Sequence, residues 1–94
     1  MIHKMVRFTV EPGQLASVER AIKEFVAAVA ENEPETTYRA YRRGDSRAFV
    51  HVMAFPDEQA EERHRNAPYT ERFVEELYPR CRKEPEFEEL VPVV

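Results

Sequence analysis

The stretch from Ala48 to Phe55, AFVHVMAF, most limits what this chain can become. In an extended backbone Phe49, His51, Met53 and Phe55 share one face, and Val50, Val52 and Ala54 share the other. A strand that is mostly apolar on both faces belongs in the middle of a sheet, covered by helices on one side and by something else on the other. Pro56-Asp57 ends the run, and Asp57 is a suitable N-cap for a short, very polar helix reaching about Asn66. Upstream, Thr36 to Arg43 has the β-branched and aromatic content of a strand. Arg43-Gly44-Asp45-Ser46-Arg47 is turn chemistry that would pair the two strands as an antiparallel hairpin.

The rest of the chain supplies partners for that hairpin. Ile2 to Val10 reads as a first strand with Ile2, Val6, Phe8 and Val10 on one face, interrupted by Lys4. Glu11-Pro12-Gly13 turns the chain into a helix from Gln14 to about Asn32, whose Leu15, Val18, Ile22, Phe25, Val26 and Val29 form one stripe. Pro34 stops it, because the residue before a proline avoids helical geometry. A third helix runs from Tyr69 to Tyr78 with Tyr69, Phe73, Val74 and Leu77 inward, and Arg80 to Glu86 is a charged connector. Phe87 to Val94 reads as a last strand, which Pro92 confines to an edge or an arm. The order β-α-β-β-α-α-β predicts one α+β domain over residues 1–94, a ferredoxin-like antiparallel sandwich with its second helix broken in two. Such a fold keeps its helices on one side. The Val-rich opposite face would be bare in a monomer, so two copies packing face to face as a homodimer are expected.

Composition removes several function classes. With 94 residues, 34% of them charged and a net charge of −4, the surface is well solvated and has no electrostatic reason to bind nucleic acid or an anionic membrane. No apolar run approaches the ~18 residues of a membrane span, and the N-terminus has no signal-peptide pattern. Cys81 is the sole cysteine, which rules out a disulfide framework and a cysteine metal cluster and makes a reduced, cytoplasmic setting the expectation. Gly13 and Gly44 are the only glycines, too few for a nucleotide-binding loop. Redox chemistry would therefore fall to a small bound cofactor or to the substrate itself.

Two histidines stand out. His51 lies mid-strand among Phe49, Met53 and Phe55, so its imidazole must find a partner or stay neutral. It reads either as a hydrogen-bonded core histidine or as a base or donor working near neutral pH. His64 and Glu61 are three residues apart on one helix face. They read either as a surface pair or as a pocket lid in which Glu61 raises the pKa of His64. His3 reads as surface or interface. Tyr38, Tyr41, Phe55, Tyr69 and Phe73 suit an aromatic pocket as well as they suit an ordinary core.

From Phe49 to Phe73 the order is apolar strand, aromatic residue, Asp, small residue, His64 and then Ala67-Pro68-Tyr69. This layout resembles the antibiotic biosynthesis monooxygenase family, as do Glu11-Pro12-Gly13 and Asn32-Glu33-Pro34. The resemblance implies a dimeric α/β barrel. It also implies a monooxygenase that oxidises a small aromatic or polyphenolic molecule without metal or flavin. On that basis the expected catalytic groups are His51, as the base or donor and the more important of the two, and His64, as a second polar contact. The expected substrate contacts are Phe49, Phe55, Glu61, Tyr69 and Phe73. The chain departs from the family at Phe55, where relatives commonly carry Trp, and at Met53, where Glu is frequent. His51 takes the place of an Asn that helps hold the phenolic substrate. Val74 replaces the heme ligand of the heme-degrading branch, which excludes that activity. Two other functions fit the same layout: ligand binding by a stress-related dimer without catalysis, and isomerisation or decarboxylation of a small acid.

Overall fold

The computed structural model describes residues 1–94. Strand β1 (Ile2–Thr9) leads to helix α1 (Leu15–Asn32) and then to the hairpin β2 (Thr37–Arg42) and β3 (Ala48–Phe55). Helices α2 (Glu58–Asn66) and α3 (Pro68–Leu77) follow, then a short 3-10 turn at Tyr78–Arg80 and strand β4 (Glu86–Leu90). The sheet is antiparallel throughout, in the order β2-β3-β1-β4. The strand that is apolar on both faces is therefore central, as its composition requires.

Register decides which side chains face the helices. Val6 pairs with His51 and with Phe87, and His51 pairs with Ala40, so these four point to one side. Phe8 with Phe49 and Lys4 with Met53 point the same way. On this side α1 buries Val18, Ala21, Ile22, Phe25 and Val29, which at about 1.5–3 kcal/mol per large side chain is the principal anchor of the helical layer. Helix α3 adds Thr70, Phe73 and Leu77. Helix α2 has little apolar surface and buries only Ala60 and His64. It is fastened instead by its cap, where the Asp57 carboxylate accepts from the Ala60 N–H at 2.8 Å.

The opposite face has no helix. Met5, Val50, Val52 and Ala54 are half-buried there, and Tyr41 is exposed. The hairpin turn needs Gly44, whose φ is +54°. Strand β4 is shorter than its sequence suggests. It stops at Leu90, and Val91 to Val94 carry no strand pairing, in line with the missing N–H of Pro92.

Candidate active site

Helices α2 and α3 lean on the sheet but leave a cavity of about 400 Å³ between themselves, β1 and β3. Val6 and Phe8 from β1, Met53 and Phe55 from β3, and Phe73 and Leu77 from α3 make its interior apolar. Polar groups enter at few points: Lys4, Tyr38, the α2 residues Glu61, His64 and Arg65, Thr70, and Tyr78. Pro85 and Phe87 border the cavity on the β4 side.

His64 is the imidazole that lines this space, and it is held from behind. The Glu33 carboxylate lies 2.8 Å from Nδ1 of His64, the two side chains being only 11% and 9% exposed. The Tyr69 hydroxyl donates to the same carboxylate oxygen. Glu33 is the C-cap of α1, where the chain turns out of the helix ahead of Pro34. Its side chain is thereby placed beneath α2 and α3. A carboxylate taken this far out of water needs donors, and His64 and Tyr69 supply them. Because the carboxylate can only accept, Nδ1 carries a proton in the neutral ring, and Nε2 keeps its lone pair. Burial first, and then the Glu33 hydrogen bond, push the Tyr69 phenol pKa up, so Tyr69 stays a donor.

His51 is in a different situation. It is fully buried, and its Nδ1 lies 2.8 Å from the Tyr38 hydroxyl. Phe8 meets its ring edge-on at 5.1 Å, and Phe73 lies roughly parallel at 6.1 Å. Burial pushes the His51 pKa down to about 4, so the ring is neutral at physiological pH. Burial also raises the Tyr38 pKa, with Tyr78 and Glu33 adding to it. The phenol therefore keeps its proton, and with the hydroxyl assigned as donor, Nδ1 accepts. That assignment puts the ring proton on Nε2, which has no partner. His51 is thus a neutral imidazole one layer behind the cavity wall, since Phe8, Tyr38 and Phe73 line the cavity and His51 does not.

The residues singled out from the sequence separate into two groups. Phe55, Glu61, His64 and Phe73 line the cavity together. His51, expected as the base, does not, being fully buried behind the wall, and neither do Phe49 and Tyr69. The Phe49 ring stacks on Phe8 at 5.3 Å, and the Tyr69 hydroxyl is committed to Glu33. One expectation is corrected: Glu61 is not the carboxylate that serves His64. It forms an ion pair with Lys4 across the rim of the cavity, and Glu33 takes the place beside the imidazole. The three-residue spacing puts Glu61 and His64 on one helix face, but Lys4 offers Glu61 a full positive charge and draws it away. No three His, Cys, Asp or Glu side chains converge as a metal site would require.

Residues 1–76 match the family model described as antibiotic biosynthesis monooxygenase. The chain belongs to the antibiotic biosynthesis monooxygenase family. A solved antibiotic biosynthesis monooxygenase superimposes with a TM-score of 0.90 at 19% identity over 100% of both chains. A Caulobacter crescentus protein bearing the same family name gives 0.90 at 21% identity, covering 99% of this chain and 90% of its own. The Pseudomonas aeruginosa protein PA3566 gives 0.84 at 23% identity, covering 99% of this chain and 94% of its own. At these identities the likeness speaks for the family's ferredoxin-like α+β fold and not for a substrate. A search of curated proteins gives no match. No helix of the chain is long and apolar enough to cross a membrane.

Two residues of the cavity and its surroundings in this antibiotic biosynthesis monooxygenase family member escaped the reading of the sequence. Glu33 sits in a helix-ending Asn-Glu-Pro, where a carboxylate looks solvated, and its partners lie 31 and 36 residues away. Thr70 did carry a signal. With Phe73 and Leu77 it completes an i, i+3, i+7 stripe, the one polar member of the buried face of α3.

Proposed function

We propose that this protein is a cofactor-independent monooxygenase of a small aromatic or polyphenolic substrate bound in the cavity between the sheet, α2 and α3. The observation that carries this reading is the Glu33–His64 pair at the wall of an otherwise apolar space. A cavity of about 400 Å³ is within the range of small-molecule sites, roughly 300–1,000 Å³. With Nδ1 donating to Glu33, the Nε2 lone pair of His64 is the base that takes a phenolic proton, and Glu33 balances the charge the ring gains. The resulting phenolate is electron-rich at carbon and gives an electron to dioxygen. The two radicals join as a carbon–oxygen bond, the peroxide anion takes back the proton held on His64, and the resulting hydroperoxide loses water. Overall, a ring CH₂ and O₂ become a ring C=O and H₂O. The apolar wall keeps bulk water away from the anion.

We further infer that the working unit is a homodimer joined through the open face of the sheet, in the reducing cytoplasm that a lone Cys81 suits. Half-buried Met5, Val50, Val52 and Ala54 together with exposed Tyr41 support this pairing. Ligand binding without chemistry is the second reading. It draws on the complete burial of His51, the residue at the family's substrate-holding position.

Oxygen uptake with a panel of anthrones and hydroxyquinols tests the monooxygenase. One O₂ consumed per substrate, with a carbonyl product and loss of the activity in His64→Ala, is the expected result. Tight binding of panel members with uptake no faster than in buffer would leave only the second reading.

A further inference from the structure

We propose that Thr70 is a ligand-contacting residue, and that its hydroxyl selects an aromatic ligand bearing a hydroxyl or carbonyl oxygen over one of the same shape without it. This rests on the cavity between the sheet, α2 and α3 being a ligand site. Thr70 lines that cavity and is only 9% exposed. Its Oγ1 is buried and has no hydrogen-bond partner.

A threonine in a helix ordinarily satisfies its hydroxyl by bonding back to a carbonyl three or four residues earlier. At this position the carbonyl three residues back is that of Ala67, and it already accepts from the N–H groups of Thr70 and Glu71, each at 3.0 Å. The carbonyl four residues back is that of Asn66, at the end of α2, and the hydroxyl bonds to neither. The neighbours Phe73 and Leu77 offer it nothing polar. Valine would fill the same volume without the orphaned group, and a buried hydroxyl without a partner weakens a fold. A ligand oxygen entering the cavity would complete it, since a threonine hydroxyl both donates and accepts. Thr70 and His64 then give a ligand two polar contacts in an apolar chamber: His64 takes the proton, and Thr70 fixes which oxygenated edge faces it.

The test compares two probes of equal shape, 1-naphthol and 1-methylnaphthalene, titrated into the full chain by calorimetry or NMR. Thr70→Val should weaken 1-naphthol binding about tenfold, the scale of one hydrogen bond, while 1-methylnaphthalene stays within about twofold of wild type. Thr70→Ser should keep the wild-type affinity for 1-naphthol. Thr70→Val should melt at or above the wild-type temperature, because it removes an unpaired group without changing volume. Thr70→Ala provides the same comparison with a smaller side chain. Equal weakening of both probes, no weakening of either, or a wild-type protein that binds neither would each overturn the assignment. Because the readout is binding, a protein that holds 1-naphthol through Thr70 yet consumes no oxygen overturns the monooxygenase reading alone.

Discussion

Glu33 and His64 meet at 2.8 Å although 31 residues separate them in the chain. One stands where α1 ends and the other in the last turn of α2, so the contact exists only once both helices have docked. The carboxylate fixes the imidazole tautomer and aims the other ring nitrogen's lone pair. On any substrate that is turned over, His64→Ala should lower kcat/KM by about 10²-fold or more, the usual scale of a lost general base. Glu33→Gln keeps an acceptor for Nδ1 but removes the charge. It should lower kcat by about 10²-fold or more with KM little changed, as expected for loss of the carboxylate that orients a catalytic imidazole. Initial rates of oxygen uptake decide both, and full activity in His64→Ala would take this imidazole out of the chemistry.

The buried Tyr38–His51 pair makes a statement about pH. An unfolded histidine titrates near 6.5, and burial brings His51 down to about 4. Between those values the unfolded chain binds more protons than the native one, so stability rises with pH through this window. Its contribution is fully present above pH 6.5 and is lost as pH falls toward 4. The loss attributable to His51 between pH 7 and pH 5 should be roughly 2 kcal/mol. Urea denaturation at the two pH values measures it, and His51→Gln should be flatter by that amount. An unchanged slope in the variant would mean that His51 is solvated in the native state.

Much of the fold was legible in the sequence because its elements are specified locally. The two-faced strand from Ala48 to Phe55, the Gly44 turn and the α1 stripe each combine a clear period with a clear stop. The end of β4 was overrun because Val93 and Val94 look like strand residues, whereas the observed strand ends at Leu90, two residues short of Pro92. The site was less legible, since it depends on long-range competition for charge. Glu61 has both His64 and Lys4 within reach of its helix face, and nothing local tells which wins. Lys4 breaks the apolar pattern of β1, yet it is the residue that claims Glu61. The inward turn of Glu33 depends on where α1 stops relative to two later helices, and no local pattern encodes that.

The open face of the sheet predicts an assembly that one substitution should undo. Light scattering at micromolar concentration should give twice the chain's mass. Val52 lies on the bare side of the central strand β3 and is half-buried within one chain. Val52→Asp would place an unpaired carboxylate in the paired face, at a cost of several kcal/mol. The variant should run as a monomer or aggregate while keeping its far-UV signature. A wild-type protein that scatters as a single chain would remove the homodimer.

The Lys4–Glu61 pair ties β1 to α2, the helix that carries His64 and has little apolar surface of its own. Its side chains are 28% and 15% exposed, which places it between a surface pair of little worth and a buried pair whose halves cannot be separated. Glu61→Gln leaves Lys4 charged at the rim of an apolar cavity, and Lys4→Met leaves Glu61 in the same position. Each single change should cost about 1–2 kcal/mol. The double variant Lys4→Met/Glu61→Gln strands no charge, so it should cost less than the sum by about 1 kcal/mol. Urea denaturation of the four proteins gives this coupling directly. Strict additivity would mean that the two charges are held independently by solvent, and α2 would then depend on its Asp57 cap and its two buried residues alone.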